Sequence, residues 1–479
     1  MSISAARSDT AAWPYLERYR GYINEATTLT AMLITLGVYY MVPNFPVRLA
    51  GLFIFFALSV YRPALNLAIV PLAAPLFYRQ PLIAGLYFPL AEVVIACGVG
   101  AWILRDGWTL LRTRRLPWLR EMLGQPAVWL ALGLTIIGVL WLFVPPGGDL
   151  RKFALREFRW TVLEPVLFFA MMLRWLRTER DIWRMVAAWL IAAALVGREG
   201  AEQFLFGDTW QMEGVGRVSS VYPSATALGI YLGKALALSL VLASVLPTEW
   251  KRWRLAVAAL SVPIGLGLLF SFARGAWIGV FVALVVAAII ARRRILWAGI
   301  SAAVALGLAA LPFVRVDRIT STFDFSTEDN TGVARAKIWS ASLRILGDHP
   351  FTGIGQDQLL YQDPAYGIPQ LRFFQTSHPH NWILDFWLRL GLPGLAWVVA
   401  ALAYFFWQAY RLWQQHAGTA LGALTLGLMA SMVDFAVHGL LDMAYFTMDN
   451  ALTFWLTVGL IVLVKRYVSL EHQIKHELR

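Results

Sequence analysis

Apolar runs of helical length recur along nearly the whole chain, separated by short charged loops. A bilayer's hydrocarbon core is crossed by roughly 17–25 helical residues. Runs near that length lie at 26–42, 47–61, 63–78, 88–104, 126–144, 159–176, 182–199, 223–246, 253–271, 275–291, 295–312, 381–409, 417–437 and 448–466. The pattern predicts an all-α, polytopic membrane protein with about 12–14 transmembrane helices. The second and third runs are short, so one helical hairpin or re-entrant pair can replace them. Residues 313–377 form the one sizeable polar interruption. The expected organisation is a terminal segment over 1–25, a bundle over 26–312, a loop over 313–377, further spans over 378–467 and a tail over 468–479.

Composition removes the soluble alternatives. The chain has 479 residues, of which 59% are hydrophobic and only 15% charged. The N-terminus lacks a short apolar core followed by a small-residue cleavage site, so no removable signal peptide is expected. A net charge of +12 would suit nucleic acid, but most Lys and Arg sit in short loops between spans. That is the positive-inside pattern, and it makes the bilayer the partner and not nucleic acid. With the N-terminus inside, Arg105 to Arg120, Arg174 to Arg184, Lys251–Arg254, Arg292–Arg294 and Lys465–Arg466 all become cytoplasmic. Both termini are then cytoplasmic. Cys97 is the only cysteine, which excludes an internal disulfide and any cysteine-rich metal site.

The cations that break the rule are more informative. This topology leaves Arg151, Lys152, Arg156, Arg159, Arg217, Arg274, Arg335 and Lys337 on the outer face. Ion pairs with Glu157, Glu199, Glu202, Asp324 and Glu328 would account for single members. As a group they predict an anion site, because the arginine fork suits phosphate. Arg156, Arg159 and Arg335 are candidates to bind the anionic substrate. Arg274 lies between two spans with almost no loop, where the next helix's N–H groups also attract anions. In the long loop, Asp329-Asn330-Thr331 offers caps for a helix over about 332–346. Ala334, Ile338, Ala341 and Ile345 would give it an apolar face able to lie on the outer leaflet. Gly353-Ile354-Gly355 reads as a tight turn.

His378-Pro379-His380-Asn381 stands where that loop meets an apolar helix. At such a boundary a titratable group stays wet yet is held by packing. A neutral imidazole, with an unperturbed pKa of about 6.5, can take a proton from a hydroxyl. Asp385, on the same helix, is placed to orient an imidazole. Asp434, His438 and Asp442 are spaced by four residues and share one helical face. They could bind a metal, but three ligands on one helix without a partner favour a supporting or acceptor-binding role, and no His-Glu-x-x-His or other metal spacing is present. Glu92 and Glu164 lie within spans and call for a cation, with Lys234 and Arg389 as the intramembrane candidates.

These residues together resemble the O-antigen ligase and Wzy-type O-antigen polymerase superfamily of bacterial envelope proteins. His380-Asn381, nine residues, then Gly391-Leu392-Pro393-Gly394 fits the ligase pattern. Beside it stand Ser271-Phe272-Ala273-Arg274-Gly275-Ala276-Trp277, Arg217-Val218-Ser219-Ser220-Val221-Tyr222-Pro223 and the loop run Gly332–Trp339. The resemblance covers about residues 150–465. It implies a GT-C-like, inverting, metal-independent glycosyltransferase of the bacterial inner membrane, serving lipopolysaccharide assembly. Its donor would be a glycan on undecaprenyl diphosphate, and its acceptor a lipid or glycan hydroxyl. Arg217 and Arg274 would bind the diphosphate and His380 would position or deprotonate the acceptor, with His378 and Asn381 supporting the acceptor side. Polymerisation of two lipid-linked repeat units is the alternative within the class. A small-anion transporter ranks lower, since the cations gather at one face and no broken-helix pair lines a midplane site.

Overall fold

The computed structural model of the protein describes residues 24–79, 82–83, 86–207, 209–212, 215–301, 331–362, 364–367 and 377–477. Within them the chain is helical, with two short hairpins, at Leu82–Ile83 with Leu86–Tyr87 and at Trp210–Met212 with Val215–Arg217. The helices are α1 (Glu25–Met41), α2 (Phe45–Tyr61), α3 (Pro63–Ala73), α4 (Leu90–Thr113), α5 (Pro117–Leu123), α6 (Pro126–Trp141), α7 (Gly148–Phe158) and α8 (Glu164–Trp175). They continue as α9 (Glu179–Leu205), α10 (Ala225–Val245), α11 (Lys251–Ser271), α12 (Arg274–Ala291), α13 (Thr331–Asp348), α14 (Trp382–His416), α15 (Ala420–His438) and α16 (Met448–Glu477).

The fold is that of an all-α polytopic membrane protein. Among the described residues seven helices are long and apolar enough to span a bilayer, or eight if the sharply bent pair α5–α6 counts as one. The other expected spans fall on shorter or more charged helices, and residues 302–312 of the span expected at 295–312 lie outside the described set. So do most of the terminal segment, the proposed caps Asp329 and Asn330, and the suggested ion-pair partners Asp324 and Glu328. Between α7 and α8 a π-helical turn, Arg159–Leu163, leads into Glu164-Pro165. Proline has no N–H to donate and crowds the preceding turn, so local rewinding relieves the conflict.

The chain forms two compact units. The first comprises residues 1–131, 164–192 and 458–479. Its charged side chains meet each other: Arg174 donates to both oxygens of buried Asp106 at 2.8 and 3.1 Å. Glu25 pairs with Arg62, Arg180 and Arg184, and Arg466 donates to the carbonyls of Leu173 and Leu176. Arg174, Arg180, Arg184 and Arg466 are among the residues that the charge pattern assigns to one membrane side.

The second unit comprises residues 132–163 and 193–457 and holds the histidine motif. Its centre is built on glycine. Gly229 and Gly233 of α10, and Gly275 and Gly279 of α12, face Asp434 and His438 of α15. Small residues let helices approach closely where lipid offers no hydrophobic drive. A Cβ at Gly279 would lie 2.4 Å from Asp434 Oδ1, and one at Gly275 would lie 2.9 Å from the His438 ring. The contact between α9 and α11 is tighter still, since a Cβ at Gly197 would lie 2.3 Å from the Pro263 carbonyl oxygen. Backbone cannot yield as a flexible side chain can. Gly197→Ala is therefore expected to lower stability by about 1–3 kcal/mol, the usual cost of overpacking, read as a lower unfolding midpoint in detergent.

The helix expected at 332–346 is α13, and Ile338, Ala341 and Ile345 are buried on it. They do not face lipid: Ile345 and Leu346 pack with Ile354 and Leu359 against Leu384 and Leu388 of α14. The apolar face that suggested an outer-leaflet helix is covered by protein. Helix α14 is itself broken at Gly391, whose φ of 64° and ψ of −169° leave the helical region. The turn after α13 enters that break. Ile354 N donates to Leu388 O at 2.7 Å, and Leu392 N to Phe351 O at 3.1 Å. A Cβ at Gly391 would lie 2.2 Å from Phe351 O, and one at Gly353 (φ 58°) 2.3 Å from Leu388 O. Both left-handed φ and the close approach require glycine at these two positions.

Candidate functional site

The segment 377–381 is held from several directions before α14 begins. Asn381 caps the helix, its Oδ1 accepting from Ile383 N and Leu384 N at 2.9 and 3.2 Å. Its amide donates to Leu440 O at 3.1 Å, while Trp382 N and Nε1 donate to Gly439 O and Ala436 O at 2.7 and 3.0 Å. These bonds lash the segment to the end of α15. Trp339 of α13 donates to Pro379 O at 2.8 Å, and Arg389 Nη2 to Ser377 O at 3.1 Å. His380 is thereby fixed at φ 54°. Left-handed backbone at a non-glycine residue costs of the order of 1–3 kcal/mol and persists only where its surroundings over-determine it.

Asp442 organises both imidazoles. His380 Nδ1 lies 3.0 Å and His378 Nε2 3.7 Å from Asp442 Oδ1, and the two rings are 4.2 Å apart. Met443 N donates to the same oxygen at 2.8 Å, and Arg335 Nη2 lies 3.5 Å from Oδ2. Burial raises the Asp442 carboxyl, but the two imidazoles outweigh it and hold the group well below the usual carboxylate range. Asp442 is thus ionised at neutral pH and accepts a hydrogen bond from His380 Nδ1–H, which leaves Nε2 as the acceptor. For His378, burial and the neighbouring His380 lower the pKa, keeping that ring neutral. Ser377 Oγ, 3.1 Å from His378 Nδ1, fixes the ring from its other side.

Arg217 and Arg274 meet at one turn. Arg217 Nε donates to Ser271 O at 2.9 Å, and Val218 N to Phe270 O at 3.3 Å. Phe272 closes α11 in the left-handed region, and Arg274 is the first residue of α12. Gln203 supports the Arg217 side by accepting from Ser219 N and Ser220 N at 3.3 and 2.8 Å. The next residue of α12, Gly275, packs on His438 and Leu441. The end of α15 and the residues after it therefore touch both the arginine turn and the histidine segment.

The remaining candidates are distributed differently. Arg335 joins the cluster through Asp442. Asn381 spends its side chain on the backbone of Ile383, Leu384 and Leu440. Arg156 pairs with Asp357 at 3.2 Å, the ion-pair account of an outer cation. Arg159 lies in the π-helical turn with its guanidinium 5.6 Å from the Trp160 ring. Asp385 does not orient an imidazole; it accepts from Arg389 Nε at 2.6 Å, one turn along the same helix.

Arg389 is the residue whose importance the sequence concealed. It bonds Asp385, Glu157 and Ser377 O, and its guanidinium stands 4.9 Å from the Phe446 ring. One cation thus serves two buried carboxylates while gripping the residue before His378. Burial pushes Glu157 up to about 7 against the pull of Arg389. Lys234, the other intramembrane cation, donates to Asn450 Oδ1 and Thr453 Oγ1 at 2.5 and 3.0 Å. The Asp385–Arg389 spacing of four residues was visible; Glu157, far off in sequence, was not.

Residues 259–399 match the family model described as O-antigen ligase. The match is consistent with the superfamily that the motifs resemble, and it contains Arg274, Arg335, His380 and Gly391. Arg217 and Asp442 lie outside it and join the site through the contacts above. No curated protein matches the chain significantly.

Proposed function

We propose that this chain, a multi-pass membrane protein carrying an O-antigen ligase domain, transfers a glycan from a polyprenyl diphosphate to an acceptor hydroxyl at the outer membrane–water boundary. The observation that carries this reading is that one helix end, residues 436–442, contacts both the arginine turn and the histidine segment. A diphosphate leaving group and a hydroxyl nucleophile need those two environments side by side.

The acceptor hydroxyl gives its proton to His380 Nε2 as its oxygen attacks the anomeric carbon. The bond from that carbon to the diphosphate oxygen breaks, and attack from the opposite face inverts the configuration. Arg217, Arg274 and the N–H groups opening α12 take up the charge that develops on the diphosphate. Asp442 keeps His380 in the reactive tautomer and stabilises the imidazolium, as the carboxylate of a catalytic triad does. The resemblance to O-antigen ligases supports undecaprenyl diphosphate as the carrier and a lipopolysaccharide-type acceptor in this reading. The basic clusters of the first unit would then be cytoplasmic.

Removing one preorganised donor to a developing oxyanion costs about 10²–10³-fold in kcat. Arg274→Ala should show a loss of that order, and Arg274→Lys a substantial part of it, because an ammonium lacks the planar fork. Transfer from a lipid-linked oligosaccharide by the purified protein measures both. Unchanged rates in both variants would remove Arg274 from the site. Offering a core-glycolipid acceptor against a second lipid-linked unit, in the same assay, separates ligase from polymerase.

A further inference from the structure

The geometry points to a regulatory zinc-class cation site formed by His378 Nε2, His380 Nδ1 and Asp442 Oδ1, where the ion inhibits transfer. The inference rests on the proposed role of His380 as base. One ligand atom from each of the three residues lies within 4.8 Å of the others, and Asp442 Oδ1 is 3.0 Å from His380 Nδ1 and 3.7 Å from His378 Nε2. A tetrahedral zinc with ligands at about 2.0–2.2 Å needs ligand atoms roughly 3.3 Å apart, so small side-chain rotations close the site. Two imidazoles and one carboxylate form the donor set that leaves a fourth position for water. The side chains of His378 and His380 are 20% and 28% exposed, which gives an ion a way in.

The surrounding contacts suit this use. Metal-bound imidazoles carry a hydrogen bond on their other nitrogen, and Ser377 Oγ is already placed at His378 Nδ1. Arg335, 3.5 Å from Asp442 Oδ2, opposes an incoming cation. That repulsion and the three-ligand set make the site weaker than four-ligand structural zinc sites. Imidazole-rich donor sets also select zinc-class ions over magnesium.

Inhibition follows from the tautomer. In the reactive form Nδ1 of His380 carries the proton, shared with Asp442, and Nε2 is free. A cation on Nδ1 displaces that proton to Nε2, with no net change in protonation. The nitrogen facing the acceptor becomes a donor and can no longer accept the hydroxyl proton. Zinc therefore acts on the base itself and not on the diphosphate.

The test uses the full-length protein in detergent, titrated with Zn²⁺ and with Co²⁺ as the visible-absorption probe. Saturable binding is expected, with a zinc edge spectrum of the unmutated protein showing imidazole nitrogen and carboxylate oxygen ligands. His378→Ala and Asp442→Asn should each weaken binding by at least about 10-fold. Transfer should fall as zinc occupies the site, with Mg²⁺ at equal concentration without effect. Absence of saturable binding, or a zinc edge without imidazole, overturns the site while leaving the transferase reading intact. Full occupancy with undiminished transfer overturns the tautomer lock, and His380 as base falls with it.

Discussion

Replacing His380 by Ala should lower glycan transfer by about 10²–10⁴-fold, the range that a positioned general base supplies. The loss should fall on kcat, because in the proposed reaction the donor diphosphate is held by Arg217 and Arg274 at the neighbouring turn. Donor binding, measured with a non-transferable lipid diphosphate, should persist. The effect is not one of folding. His380 is partly exposed, so its truncation leaves no cavity, and Ala keeps the same Cβ at the same left-handed backbone position. A His380→Ala protein with near-normal kcat would show that the imidazole does not take the acceptor's proton.

Arg389→Ala should produce the largest loss of stability of any single change described. Breaking a buried ion pair by removing one partner costs about 3–5 kcal/mol, because the other charge stays buried and unpaired. Here two carboxylates, Glu157 and Asp385, lose their common partner, and Ser377 O loses the donor that anchors the histidine segment. Activity should fall with stability. Arg389→Lys keeps the charge without the fork and should recover only part of either. The unfolding midpoint in detergent measures the effect, and a midpoint equal to the unmutated protein's would mean that the cluster carries no net stabilisation.

The same cluster has a pH signature. Glu157 rises from 4.5 to about 7 in the folded protein. A carboxyl raised on folding contributes stability that is full below the unfolded value and is lost as pH climbs through the folded one. Between about pH 4.5 and 7 the unmutated protein should therefore lose stability relative to Glu157→Gln, whose amide does not titrate. Parallel stability profiles for the two proteins would show that Glu157 titrates normally.

Much of the architecture was legible because hydrophobic run length is a local property. Helix α13 was expected at 332–346 and spans Thr331–Asp348, since its apolar face is written within a few residues. The destination of that face was not legible, because Leu384 and Leu388 reach it only through tertiary packing. Gly391 stood out as part of a motif, yet its physical reason is the turn at 351–354 entering the break in α14. The pairing of the histidines followed the same rule. Four-residue spacing flagged Asp442 along with Asp434 and His438, but only the fold separates their roles. Asp442 meets His380, whereas Asp434 and His438 lie between the glycines of α10 and α12. Asp385 was nearer in sequence and was the wrong partner, since Arg389, one turn away, takes it.

The arginines divide along similar lines. Arg217 and Arg274 were grouped by predicted side and motif, and in the structure Arg217 bonds the Ser271 carbonyl at the end of α11, in the turn from which Arg274 opens α12. Arg156 had the same charge and the same predicted side, but Asp357 engages it. Charge patterning finds the face on which cations collect. It does not distinguish those held by a carboxylate from those grouped around a helix N-terminus.

The central claim is that the arginine turn and His380 together transfer a glycan from a lipid diphosphate. Its most direct test is single-turnover transfer by purified protein, comparing the unmutated chain with the double variant Arg274→Ala/His380→Ala. The account predicts an anomerically inverted product from the first and none above background from the second. Transfer by a folded double variant at the unmutated rate would contradict it.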